Sequence, residues 1–182
     1  MIAEDQRKII AEWMTLYGSA VWAYVYAITQ DHTLTDDLSQ EVFIQAYLKL
    51  PTFRGQSAAK TWLFAIARNK ARDYFKSALR RRVFPTASMV EQKVGTSPSA
   101  EDEVLKYFES HQLAQAVFEL KPIYREVILL HVKESLTFRE ISEITGSSES
   151  AVKVRFQRAL QMLRKKVEKE GTFHGIRRQD SF

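Results

Sequence analysis

Along residues 59–82 the sequence sets Trp62, Arg68, Asn69, Arg72, Asp73, Lys76 and Arg80 on one side of a helical period, and the stretch closes on Arg80-Arg81-Arg82. Cations interleaved with an indole and an amide are groups that nucleic acid engages: Arg and Lys neutralise phosphates, Trp stacks on bases, and Asn hydrogen-bonds base edges. The pattern equally describes a solvated helix face whose terminal arginines offset the helix dipole. A second such face lies in residues 149–169, where Ser150, Lys153, Val154, Gln157, Arg158, Gln161 and Lys165 point one way, with Arg155 and Lys166 on a flank. Hydroxyl, amide and guanidinium groups gathered there suit base edges in a major groove, and the flanking cations suit phosphates. A generic three-helix bundle with a basic surface has the same look. A third face, Asp37, Gln40, Glu41, Ile44 and Leu48, mixes acids with apolar side chains and reads as solvated surface or as a docking site. Its carboxylates have no His or fourth ligand nearby, so helix capping accounts for them better than a metal does.

Other chemistries are excluded by composition. The chain has no cysteine, which rules out a disulfide scaffold, a thiolate metal site and a Cys nucleophile. Its four histidines, His32, His111, His131 and His174, are scattered and adjoin no paired carboxylate or nucleophile pattern, and no Gly-rich phosphate loop is present. We therefore expect no catalytic residue, no metal and no cofactor, and a protein that is not an enzyme. Apolar runs such as 127–130 fall far below the roughly 20 residues that cross a bilayer, and Met1 leads into an acidic-polar stretch rather than a signal peptide. The expectation is a soluble, cytoplasmic chain with no direct membrane insertion.

The elements that position these faces are helices. Six glycines and four prolines in 182 residues leave few hairpin sites, no long segment alternates at period two, and 45% hydrophobic content is ample for packed cores. The fold class is all-α: two small helical domains joined by a flexible linker, the C-terminal one a helix-turn-helix. Pro85, Gly95 and Pro98 among Ser and Thr mark 84–101 as the linker, dividing a first module at 1–83 from a second at 102–170, with a tail at 171–182 expected to be disordered. At up to ~3.3–3.6 Å per residue the linker lets the modules straddle more than one DNA turn of ~34–36 Å. The net charge of +5 divides into +4 for residues 1–82, −3 for 83–110 and +4 for 111–182. The excess therefore sits in the two modules.

In the first module a long helix covers about residues 4–29, with Ile9, Ile10, Trp13, Leu16, Tyr17, Ala20, Val21, Tyr24 and Val25 as its core stripe. A second starts near Thr35, read as its N-cap, and buries Leu38, Val42, Phe43, Ala46, Tyr47 and Leu50. The third, about 59–82, buries Leu63, Phe64, Ala67, Ala71, Tyr74, Phe75 and Ala78. In the second module helices are expected at about 102–118, 122–133, 136–145 and 149–169. Gly146 supplies the turn before the last, Ser147 and Ser148 are its N-cap candidates, and Val152, Phe156, Ala159, Leu160, Leu163 and Val167 pack on Ile141 and Ile144.

Together these features resemble the extracytoplasmic-function (ECF) group of bacterial RNA polymerase sigma factors, over about residues 10–168. The carriers are Asp36-Asp37-Leu38-Ser39-Gln40-Glu41-Val42-Phe43, Thr52-Phe53-Arg54-Gly55-Gln56-Ser57 and Thr61-Trp62-Leu63-Phe64-Ala65-Ile66-Ala67-Arg68-Asn69. In the second module they are Leu120-Lys121-Pro122 with Tyr124-Arg125, Phe138-Arg139-Glu140-Ile141-Ser142-Glu143-Ile144, and Ala151-Val152-Lys153-Val154-Arg155-Phe156-Gln157-Arg158-Ala159.

The resemblance implies that Asp37, Gln40, Glu41, Ile44 and Leu48 dock on the clamp of the largest subunit of core RNA polymerase. It implies that Arg54, Ser57, Lys60, Trp62, Arg68, Asn69 and Arg72 melt the downstream promoter box and capture a flipped base. Ser150, Lys153, Val154, Arg155, Gln157 and Arg158 then read the upstream box as duplex. It further implies an anti-sigma factor, in some cases membrane-bound, that holds the chain until released onto the nucleoid, and a place in stress response. The short linker lacks room for the folded domain between the modules of larger sigma factors, which implies weaker melting and stricter promoter choice. Rival readings are a helix-turn-helix regulator acting at an operator without being a polymerase subunit, and an adaptor whose basic faces serve solubility alone.

Overall fold

The computed structural model describes residues 2–83 and 111–169. The linker 84–101, residues 102–110 and the tail 171–182 lie outside the described residues, as do the side chains of Arg80, Arg81, Arg82 and Val167. The described residues are helical, without strands. They form α1 (Ile2–Thr29), α2 (His32–Lys49) with a 3₁₀ turn at Leu50–Thr52, and α3 (Ala59–Val83). The second module has α4 (His111–Phe118), α5 (Pro122–Ile128) running into a π-helical turn at Leu129–Lys133, α6 (Phe138–Thr145) and α7 (Glu149–Lys169).

At 1.5 Å per residue the 28-residue α1 is about 42 Å long, and its two halves are packed differently. The first half buries Ile10 and half-buries Trp13 and Tyr17, leaving Ile9 and Leu16 exposed against expectation. From Val21 to Ala27 nearly every side chain is enclosed, because α2 and α3 grip one side while α5 grips the other. Gln30 ends α1 in the left-handed region (φ 53), its N–H bonding the Tyr26 carbonyl at 2.8 Å.

Asp31, rather than Thr35, caps α2: its carboxylate accepts from the Leu34 N–H at 2.9 Å. Thr35 lies one turn inside and is fully buried, its hydroxyl bonded to the Asp31 carbonyl (2.6 Å) and to Thr29 Oγ1 (2.7 Å). Two cap-competent residues stand four apart, and the one next to the αL turn starts the helix. The core faces of α2 and α3 match expectation through Leu38, Val42, Phe43, Ala46, Leu63, Phe64, Ala67 and Ala71. Tyr47, Leu50, Tyr74 and Ala78 are only half-buried, and Phe75 is exposed.

In the second module α6 begins at Phe138, two residues later than expected, behind a reciprocal capping box. Glu140 N–H donates to Thr137 Oγ1 (3.3 Å) and Thr137 N–H donates to Glu140 Oε2 (2.8 Å). Gly146 closes α6 with φ 61, a conformation that costs other residues about 1–2 kcal/mol. Ser148 serves as the cap of α7, accepting from Ala151 N–H, while Ser147 accepts instead from Arg155 Nη1 at 2.9 Å. Val152 packs with Ile141 and Ile144 as the helix-turn-helix reading requires.

The modules are not held apart. Leu63, Phe64, Ile66 and Ala67 of α3 share one apolar cluster with Val127, Leu130, Leu136, Ile141 and Ile144. Tyr26 and Ala27 of α1 join a second with Val117, Leu120, Ile128, Leu129 and Leu163. The structure thus shows the two modules packed together.

Candidate nucleic-acid interface

Each of the three faces read from the sequence can be followed onto its helix. On α2, Asp37, Gln40, Glu41, Ile44 and Leu48 are all exposed, Ile44 by 60% and Leu48 by 64%. Large apolar side chains open to this degree, flanked by acids, form a small exposed apolar patch with an acidic rim. Glu41 meets Lys70 of α3 at 3.0 Å, and both line a groove of about 420 Å³ between α2 and α3 that also includes Asn69 and Asp73. The acidic-apolar face and the polar face of α3 are therefore neighbours.

The loop before α3 turns at Gly55 (φ 66) and leaves Arg54 exposed and Ser57 half-buried. Trp62 belongs to an aromatic cluster, with its ring centroid 4.9 Å from Phe53 and 5.9 Å from Trp13, and is half-buried there. Asn69 and Arg72 are exposed. Arg68 and Lys60 are not free. Arg68 Nε lies 2.8 Å from Glu126 Oε1, and Lys60 Nζ lies 2.7 Å from Glu134 Oε2.

Glu126 organises the contact between the modules. Its side chain is 8% exposed, and the same Oε1 accepts from the Tyr24 hydroxyl at 2.7 Å. Burial and the neighbouring Glu126 charge push the Tyr24 phenol well above its ordinary value, so it remains a donor. Beside it Arg125, 4% exposed, donates from Nη1 to the Ala27 carbonyl of α1 and from Nη2 to the Leu120 carbonyl at 2.8 Å. Burial pulls this guanidinium down to about 10, which still leaves it cationic at neutral pH, where it meets the carbonyl-rich end of α1 favourably. Gln30 Nε2 adds a bond to the Phe118 carbonyl at 3.1 Å.

On α7, Ser150, Lys153, Val154, Gln157 and Arg158 are exposed along one face, with Arg155 half-buried at its edge against Ser147. Lys153 pairs with Glu149 one turn back at 2.8 Å, an exposed pair that DNA phosphates can replace at little cost. Lys166, read as a flanking cation, pairs with Glu119. Among the described residues no cluster of three or more His, Asp and Glu side chains could hold a metal, and no helix is long and apolar enough to cross a membrane.

Comparison with known proteins places these faces in a family. Residues 13–82 match the Sigma-70 region 2 model and residues 110–163 the Sigma-70 region 4 model. The ECF RNA polymerase sigma factor SigX of Bacillus subtilis is 32% identical over 84% of this chain and 80% of its own length. The chain belongs to the ECF RNA polymerase sigma factors. It is a transcription initiation factor that directs RNA polymerase to promoters, in a family of initiation factors rather than enzymes. The ECF sigma factor BldN of Streptomyces coelicolor is likewise 32% identical, over 81% of this chain and 56% of its own length.

Two solved structures share the fold. One is the sigma factor RpoE of Bartonella quintana in complex with the anti-sigma factor NepR, with a TM-score of 0.65 at 21% identity, covering 88% of this chain and 98% of that one. The other is CnrH in complex with the cytosolic domain of CnrY, with a TM-score of 0.66 at 23% identity, covering 92% and 93%. Operator-regulator and adaptor readings leave the region 2 match over α1–α3 without an explanation.

Sequence reasoning missed Glu126, Glu134 and Glu140 as partners of this sigma factor's α3. A signal was present. Glu126 stands directly before the apolar run Val127–Leu130, and a carboxylate beside a buried face needs a cation or donor on the element packed against it.

Proposed function

We propose that this ECF sigma factor docks on the clamp of core polymerase through Asp37, Gln40, Glu41, Ile44 and Leu48. Arg54, Ser57, Lys60, Arg68, Asn69 and Arg72 then capture the displaced strand at the downstream promoter element, with Trp62 at the edge of that surface. Ser150, Lys153, Val154, Arg155, Gln157 and Arg158 read the upstream element in the major groove. The observation that carries the reading is the separation of chemistry among three helices: exposed apolar and acidic groups on α2, cations with Asn69 on α3, hydroxyl, amide and guanidinium groups on α7.

No covalent step is needed. Unpairing is driven by binding the flipped base and the displaced strand, worth a few kcal/mol per nucleotide, so the chain acts without being an enzyme and without a cofactor. It works in the cytoplasm, on the nucleoid when active. An anti-sigma protein, which can be membrane-bound, is its natural restraint, and the fold shared with two sigma factors solved in anti-sigma complexes supports this.

Reconstituted transcription with core polymerase on genomic fragments tests the reading. New start sites are expected on addition of the chain. Glu41→Lys is expected to weaken polymerase binding by about tenfold or more, since a like-charge juxtaposition at an interface costs several kcal/mol. No new start sites, together with unchanged polymerase binding by Glu41→Lys, overturns it.

A further inference from the structure

Three carboxylates of the second module, each from a different segment, converge on the stretch of the first module that the DNA reading needs free. Glu134, in the turn after the π segment, holds Lys60 twice, through Oε2 at 2.7 Å and its own carbonyl at 2.9 Å. Glu126 of α5 holds Arg68 at 2.8 Å. Glu140 of α6 accepts from Thr61 Oγ1 at 3.3 Å. Glu126 and Glu134 are nearly enclosed, with side chains 8% and 7% exposed.

A carboxylate offers an ammonium or guanidinium group the same charge and acceptor geometry as a phosphate, so these contacts have the form of a nucleic-acid backbone lying across α3. The other two faces remain uncovered: Ile44 and Leu48 on α2, and Lys153, Gln157 and Arg158 on α7, are exposed in the same closed arrangement.

We propose that the second module is an internal competitor for the melted strand, in which Glu126, Glu134 and Glu140 stand in for DNA phosphates on Lys60, Thr61 and Arg68. The free chain is then ready to meet polymerase and upstream duplex, while strand capture waits until the modules part. The proposal rests on the assignment of α3 to single-stranded DNA. Residues 1–82 and 111–182 each carry a net charge of +4, so the modules repel at long range. Local ion pairs and the shared apolar cluster hold them closed, and an arriving polyanion loosens that hold by competing for the cations.

The absence of native cysteine makes the test direct. Dyes at Glu12→Cys on α1 and Gln161→Cys on α7, both exposed, report module separation by energy transfer in the full chain, and oligothymidylate serves as a sequence-neutral single strand. In Glu126→Gln/Glu134→Gln/Glu140→Gln, which keeps the hydrogen-bonding shape and a Gln-competent capping box, energy transfer is expected to fall and oligothymidylate to bind about tenfold more tightly than to the unmutated chain, as the freed cations gain phosphates. Lys60→Glu combined with Glu134→Lys is expected to keep high transfer, which guards against a triple variant that fails to fold.

Unchanged transfer and unchanged affinity in a folded triple variant overturn the proposal. A fall in transfer with no gain in affinity also overturns it, and places the fault in the assignment of α3 to DNA rather than in the closure.

Discussion

Glu126 shows what a single residue contributes when charge is buried at a boundary between modules. Its carboxylate is enclosed, accepts from Tyr24 and pairs with Arg68, and removing one partner of such a group leaves an uncompensated charge costing about 3–5 kcal/mol. Tyr24→Phe is the gentler probe: it deletes one donor and is expected to lower unfolding free energy by roughly 1–3 kcal/mol. The pH dependence follows from the raised phenol. Its contribution is complete below about pH 10, the ordinary tyrosine value, and is lost as pH rises through the folded value. Denaturant unfolding from neutral to alkaline pH should therefore fall less steeply in Tyr24→Phe than in the unmutated chain; parallel curves would contradict the assignment. At this scale the sequence disclosed which side chains carry chemistry but not what they touch. Arg68 and Lys60 were legible as cations on a helix face, whereas their partners lie 58 and 74 positions away, beyond any local pattern.

At the scale of elements, local rules did most of the specification, and they failed where two rules competed. The helix-turn-helix was legible because its signals agree: Thr137 three residues before Glu140, Gly146 at the turn, and apolar residues at helical spacing in α7. The start of α2 was misplaced because Asp31 and Thr35 are both cap-competent. The π turn at Leu129–Lys133 has no sequence signal; its Val, Leu and His side chains fit an ordinary helix equally well.

The capping box gives a prediction specific to α6. Hydrogen bonds from Thr137, first from its backbone and then its side chain, hold the Glu140 carboxyl below its ordinary value, with smaller help from Thr61 and Lys60. That stability is present above about pH 4.3, the unfolded value, and is lost as pH falls through the folded one. Thr137→Ala is expected to cost about 1 kcal/mol at neutral pH and to show a smaller loss between neutral and acidic pH, measured by thermal unfolding. An equal acid loss in both proteins would place the linkage in the Thr137 backbone bond, which alanine keeps, rather than in the hydroxyl.

For the whole molecule, the division of charge into two +4 modules was readable from composition, while their closed packing was not. Periodicity assigns a face to each helix but does not say whether that face meets water or another module. Tyr26 and Ala27, outside the expected stripe of α1, are buried in a cluster shared with Val117, Leu120, Ile128 and Leu163 of the second module. The closure also sets how the chain responds to salt. Each phosphate contact made by a cation contributes about −0.7 to the slope of log K against log salt for a single strand. With Lys60 and Arg68 held by Glu134 and Glu126, a phosphate binding there displaces a carboxylate that already neutralised the cation, and little net counterion release follows. The closed sigma factor should therefore bind oligothymidylate with a slope shallower by about 1.4 than the Glu126→Gln/Glu134→Gln/Glu140→Gln variant, two cations' worth. Duplex binding through α7 needs neither cation, and its slope should be the same in both proteins. Fluorescence anisotropy across a salt series separates the two behaviours: a steeper slope for duplex as well as single strand would mean that the substitutions changed the charge of the whole surface rather than unmasking α3.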